Sequence, residues 1–153
     1  MRVMFNKLMI AASLAFCFSI GVAAQSVSGS LPAATRGKAV RAAVVLNIPS
    51  GLHVNSSRPG SEYAIATSIR PSASRLKIGA VSYPRGRNRR FPFADAPVNV
   101  YQGRVVFPFT VTVPANYRGR SISVNVAVRY QACTDEVCYA PKTQNITLTA
   151  RVK

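Results

Sequence analysis

The chain has little with which to do most kinds of chemistry. Its 153 residues include one histidine and four carboxylates, which excludes a histidine-rich metal site and leaves little for the paired acids of a hydrolase. The histidine is His53, and the acids are Glu62, Asp95, Asp135 and Glu136. No glycine-rich loop of the kind that cradles phosphate is present. A Ser-His-Asp or Cys-His arrangement would have to bring His53 to a nucleophile far away in the chain. Within Gly51-Leu52-His53-Val54-Asn55 it reads instead as a hydrogen-bonding turn residue beside the first strand. No stretch repeats with a helical period, so helices are not expected. Cysteine is scarce as well, with Cys17, Cys133 and Cys138 the only three.

What is present begins with an export signal. Arg2 and Lys7 precede an apolar run over residues 8–22, and Val22-Ala23-Ala24 supplies the small residues of a cleavage site. The run is short for a membrane span. Cys17 lies inside it after Phe16, where a lipid-attachment signal would want a small residue. Residues 1–24 therefore read as a signal peptide whose removal near Ala24 leaves the even pair Cys133 and Cys138 in the periplasm or another oxidising compartment. Residues 25–38, rich in Ser, Ala, Gly and Thr without periodicity, read as a flexible leader. Residues 39–153 suffice for one domain with a core.

Within that domain, segments 39–48, 63–70, 76–83, 98–101, 104–113, 121–130 and 144–152 are strand-like, separated by Pro, Gly, Ser and Asn. About seven short strands, ten prolines and no helix predict an all-β fold, an immunoglobulin-like antiparallel β-sandwich. Pro108, inside an alternating run, predicts an edge strand or a bulge.

The clearest alternation brackets the cysteines. Ile122, Val124, Val126, Val128 and Tyr130 share one face before them, and Ile146, Leu148, Ala150 and Val152 share one after them. Cys133 and Cys138 thus fall in the connection of a β-hairpin, where their sulfurs could close a small ring. So short a ring restricts the unfolded chain by only about 2 kcal/mol, against nearly 5 for a ring of about 100 residues. It is poorly placed as a staple, and an exposed small ring lends itself to thiol exchange. On spacing and placement alone, a structural hairpin bridge stays the leading reading. Asp135 and Glu136 put half of the acids between the cysteines, while Arg129 and Lys142 flank the loop. They could orient a docking partner or simply keep a turn solvated.

Positive charge is the other prominent feature. The formal net charge of +16 falls by two, to +14, once Arg2 and Lys7 are removed. Arg85, Arg87, Arg89 and Arg90 lie among Tyr83, Phe91 and Phe93. Such a patch suits nucleic acid in the cytosol. Export argues against that ligand and favours anionic lipid headgroups, envelope polymers or an acidic protein. A solvated basic surface without a specific ligand is the simpler reading of the charge.

The run Tyr130-Gln131-Ala132-Cys133-Thr134-Asp135-Glu136-Val137-Cys138-Tyr139-Ala140-Pro141 resembles the redox loop of the N-terminal periplasmic domain of the bacterial thiol:disulfide interchange protein DsbD, and of related stand-alone disulfide-bond-corrector domains. Gly51 to Asn55, Glu62-Tyr63, Ala66-Thr67-Ser68, Val81 to Pro84 and Val100 to Val105 agree in order. The resemblance implies an immunoglobulin-like domain that takes electrons from a thioredoxin-like donor and passes them to periplasmic thioredoxin-like acceptors, disulfide isomerases and cytochrome c maturation factors among them. It implies that Cys138 forms the mixed disulfide, that Cys133 resolves it, and that no metal or organic cofactor takes part. It also implies a cap loop whose aromatic is Phe93, or Phe91 as second choice, with Tyr139, Asp135 and Glu136 shaping the site. Four residues separate the cysteines, as expected of the stand-alone relatives, where the DsbD domain has five. With the chain ending at Lys153 after the last strand, a separate membrane protein is the expected donor. The competing expectation is a non-catalytic basic β-sandwich, a binding or assembly module whose bridge is structural.

Overall fold

Period-two segments of the sequence become strands, and no helix forms among the described residues. The structure, a computed structural model, describes residues 25–153; the expected signal peptide, with Cys17, lies outside them. In chain order the strands are β1 (Ser26–Ser30), β2 (Ala39–Ile48), β3 (His53–Asn55), β4 (Ser68–Ser72), β5 (Lys77–Ile78), β6 (Arg87–Arg89), β7 (Val98–Tyr101), β8 (Gly103–Thr112), β9 (Ser121–Tyr130), β10 (Ala132–Cys133) and β11 (Lys142–Arg151). They form three sheets, ordered β1-β2-β8-β5, β11-β9-β4 and β10-β3-β7-β6. All pairings between these strands are antiparallel.

The first two sheets share one core. Val44 and Leu46 of β2, Phe107 and Val111 of β8, Val124 and Val126 of β9 and Leu148 of β11 are buried together. Each such side chain contributes roughly 1.5–3 kcal/mol by leaving water. The expected β9–β11 hairpin forms, with Tyr130 opposite Lys142 and Ser121 opposite Arg151. Its inward residues are the predicted ones, from Ile122 to Tyr130 on β9. The architecture is the expected immunoglobulin-like antiparallel sandwich.

Four local expectations change. Residues 25–38 are part of the fold rather than a flexible leader, because β1 pairs with β2 from Ser26 opposite Asn47 to Ser30 opposite Ala43. Val27 and Leu31 pack on the core, and Ala34 is fully buried. This edge strand is held by main-chain bonds, so it carries little apolar pattern. Its Gly29 is required by packing, since a Cβ there would lie 2.8 Å from the Ala43 carbonyl oxygen and 2.8 Å from Leu148 Cδ2. Gly29→Ala is expected to lower stability by about 1–3 kcal/mol, read in a denaturant titration. An unchanged midpoint would contradict that close approach.

The segments 63–70 and 76–83 yield only the shorter β4 and β5, and the arginine run supplies the unexpected β6. Pro108 sits in β8 opposite Ala43, inside its sheet rather than on an edge strand. Its carbonyl accepts from Ser82 N at 2.8 Å, so its missing N–H faces the side that β5 covers for only two residues. The ladder to β2 loses nothing. Finally, His53 belongs to a strand. Pro49, Ser50 and Gly51 make the turn after β2, with Leu52 N donating to Pro49 O and Gly51 at φ +81°. A left-handed residue there suits glycine, and the turn delivers His53 directly into β3.

Candidate redox site

The connection between β9 and β11 does more than reverse the chain. After Tyr130 it leaves the β9 sheet, and β10 joins the third sheet, pairing Ala132 with Val54 and Cys133 with His53. Cys133 is therefore a strand residue, and only residues 134–137 form the tip. Cys133 and Cys138 are disulfide-bonded, with Cα atoms 4.0 Å apart. Their environments differ sharply. Cys133 is fully buried, whereas Cys138 is exposed.

Two residues that the sequence reading passed over hold this geometry. Thr134 closes the tip, its N–H donating to Val137 O at 2.8 Å and its Oγ1 accepting from the backbone N–H groups of Glu136 and Val137. Threonine's tendency to bond the backbone two or three residues on was the available signal. Gln131 ties three segments: its Oε1 accepts from Asn55 Nδ2 at 2.9 Å and Ile65 N at 3.1 Å, and its Nε2 donates to Tyr139 O at 3.2 Å. Tyr139 N also donates to Ala132 O at 2.9 Å, so both sides of Cys138 are pinned. Nothing in the local sequence marks Gln131, whose partners lie up to 76 residues away.

Beside the disulfide lies an aromatic stack. His53 stacks on Phe91 with centroids 4.3 Å apart, and Phe91 stacks on Phe93 at 5.1 Å. Phe91 is buried with Val98 and Val100 in a small second core, while Phe93 is half exposed. The Arg89 guanidinium lies 5.1 Å from the Phe91 ring centre and 3.2 Å from Asp135, linking β6 to the cysteine loop. Exposure of Asp135 keeps that ion pair weak. The other arginines diverge from it: Arg85, Arg87 and Arg90 are exposed and make no ion pair among the described residues.

His53 does not play the hydrogen-bonding role expected of it. Its side chain is 1% exposed, and its Nδ1 is buried without a hydrogen-bond partner, 4.0 Å from Asp135 Oδ1. Burial, and next the Arg89 charge, hold the imidazole below its ordinary range, against an opposing pull from Asp135. The unfolded chain takes a proton near pH 6.5 while the folded chain resists it. The stability owed to a neutral His53 is thus complete above about pH 6.5 and is lost as pH falls from there through the depressed folded value. Thermal midpoints of the wild type should fall more steeply between pH 7 and pH 5 than those of His53→Gln; parallel curves would contradict this burial.

His53, Gln131, Phe93 and Cys138 line one groove of about 570 Å³, together with Tyr63, Glu62 and Asp95. Glu62 and Asp95 are exposed on its wall, and Asp135 and Glu136 are exposed on the loop. The four side-chain carboxylates of a strongly basic chain are thus divided between the wall of this groove and the cysteine loop. Among the described residues no group of His, Cys, Asp and Glu could hold a metal ion, and no helix is long and apolar enough to cross a membrane.

Comparison with known proteins bears on the pair. Among solved structures, the chain is similar to the N-terminal periplasmic domain of ScsB from Proteus mirabilis, with a TM-score of 0.51 and 16% identity over 82% of this chain and 44% of that one. That is a likeness of fold, and this chain spans less than half of that structure. The periplasmic chaperone SfaE is a more distant match, with a TM-score of 0.40 and 13% identity over 85% of this chain and 58% of that one. No curated protein matches. The family model of the N-terminal domain of thiol:disulfide interchange protein DsbD matches residues 25–150, from β1 through nearly all of β11. The chain belongs to that family of thiol:disulfide interchange domains.

Proposed function

We propose that this domain is a periplasmic carrier of a dithiol/disulfide pair, taking electrons from a membrane donor and passing them to thioredoxin-like proteins. The observation that carries this reading is the unequal burial of the two cysteines. Exchange proceeds by in-line attack of a thiolate on one sulfur of a disulfide. Cys138 is the sulfur open to a partner, so it forms the mixed disulfide, and Cys133 waits beneath it to resolve. Sulfur chemistry suffices, and no metal or organic cofactor is invoked. Phe93 acts as the aromatic of a cap loop over residues 90–97, with Phe91 as its buried base. Tyr139, Asp135 and Glu136 shape the cysteine loop itself.

The four carboxylates make the docking face acidic on a basic body, which favours acceptors whose reactive disulfide has a cationic surround. The test uses the reduced chain 25–153 and an oxidised thioredoxin-like protein in stopped flow. Exchange should exceed that with oxidised glutathione at equal concentration and should slow as salt screens the contact. Equal rates with both oxidants would contradict a partner-directed site.

A second role is favoured by the unpaired Arg85, Arg87 and Arg90, which suit an anionic envelope surface. Replacing all three with glutamine should abolish salt-sensitive retention on vesicles containing phosphatidylglycerol, without slowing exchange. Unchanged retention would remove the arginines from that role.

A further inference from the structure

We infer that His53 is the proton acceptor that activates the buried Cys133 when it resolves the mixed disulfide at Cys138. The inference rests on the carrier reading above and adds a residue to it. Resolution poses a specific problem, because the thiolate and not the thiol is the nucleophile. A free cysteine titrates near pH 8.5, and burial in apolar surroundings raises it further. Cys133 is fully buried, so little water reaches its thiol and burial works against its ionisation at neutral pH.

The fold places one base across from it. His53 is the antiparallel register partner of Cys133, and such directly opposed residues have Cβ atoms about 4.5–5.5 Å apart on the same face of the sheet. Its Nδ1 is buried and no hydrogen bond occupies it. One face of the ring is fixed by Phe91. His53 also lines the groove that Cys138 opens into. The charged groups facing it are Asp135 on the loop, 4.0 Å from Nδ1, and Arg89 on β6. Glu62 and Asp95 stand farther out on the groove wall. Burial, and next Arg89, favour the neutral imidazole at rest, and Asp135 opposes them by stabilising the imidazolium once it forms.

The mixed disulfide joins Cys138 Sγ to a partner sulfur. The Cys133 S–H bond breaks and its proton moves to the imidazole of His53. The thiolate attacks Cys138 Sγ, and the Cys133–Cys138 bond forms as the bond to the partner breaks. The partner leaves as a thiolate carrying the electron pair, and later protonation of that thiolate, or release to solvent, returns His53 to its neutral form. Over both steps the cysteine pair is oxidised by two electrons and the partner disulfide is reduced.

The experiment uses the reduced chain 25–153 and the aromatic disulfide of 5-thio-2-nitrobenzoate, each of whose thiolates is coloured on release. Attack by Cys138 releases the first thiolate, and resolution by Cys133 releases the second. In His53→Gln the first release should keep its wild-type rate. The second should slow by about 100-fold at pH 7, the lower end of what a positioned proton acceptor contributes, and should converge on wild type at high pH, where solvent deprotonates the thiol. Asp135→Asn should slow the second release less and leave its convergence in place. A second release in His53→Gln with the wild-type rate and pH profile overturns the inference while leaving the carrier reading intact. Absence of a first release from the wild type overturns the carrier reading itself. Should His53→Gln fold poorly, the comparison is made with His53→Asn, and a uniform slowing of both releases at all pH values would assign His53 a structural role only.

Discussion

Cys138→Ser is expected to abolish electron transfer, and Cys133→Ser to stop it one step later with the partner attached. The difference follows from burial. An exposed Cys138 can meet a partner's sulfur, while a fully buried Cys133 can meet only Cys138. Removing Cys138 leaves a single, shielded thiol and no route to a mixed disulfide. Removing Cys133 leaves the outer thiol competent and unable to be displaced, so a covalent adduct with a thioredoxin-like protein should accumulate and dissolve on adding dithiothreitol. Neither variant should unfold, because a ring closed over five positions of sequence contributes only about 2 kcal/mol through the unfolded chain. Mass spectrometry of the adduct and a denaturant titration check both halves. An adduct formed equally by both variants would show that burial does not set the order of attack.

The second large effect is expected at Phe91. Phe91→Ala should destabilise the fold by about 3–5 kcal/mol, because it removes the centre of the small core formed with Val98 and Val100 and the ring between His53 and Phe93. It should also uncover His53, so that the imidazole titrates closer to its ordinary value, visible by NMR of its ring protons. Phe91→Leu should cost under about 1.5 kcal/mol and leave the titration largely in place. A loss below about 1 kcal/mol in the alanine variant would mean that the stack is decorative and that Phe93 stands on other support.

The contrast between these two sites reflects what a sequence exposes. Cys133, Cys138 and the β9–β11 hairpin were legible because alternation over ten residues has one reading, and because a short cysteine spacing between two such runs fixes where the loop must be. The same alternation could not show that β10 crosses to another sheet. Ala132-Cys133 is too short to have a period, and its pairing with Val54 and His53 is decided by residues almost 80 positions away. Because of that crossing, Cys133 is buried and lies opposite His53, and a hairpin tip would have had neither property. His53 itself read as a turn residue since Gly51 two positions earlier is a genuine turn signal; the turn simply ends sooner. β6 was hidden for a different reason. Arg87-Asn88-Arg89 is polar on both faces, and its place as an edge strand depends on main-chain bonds to β7. The arginines consequently read as one patch, whereas Arg89 is engaged by Phe91 and Asp135 and the others are not.

The direct test of the central claim is the reduction potential of the Cys133–Cys138 pair, measured by equilibrating the chain 25–153 with graded glutathione or dithiothreitol buffers and counting free thiols. A short ring with one exposed sulfur, serving as a carrier, predicts a potential among the exchange catalysts, roughly −270 to −120 mV. A value well below about −300 mV would mark a bridge that resists reduction and would contradict the carrier, leaving a basic β-sandwich whose disulfide is structural.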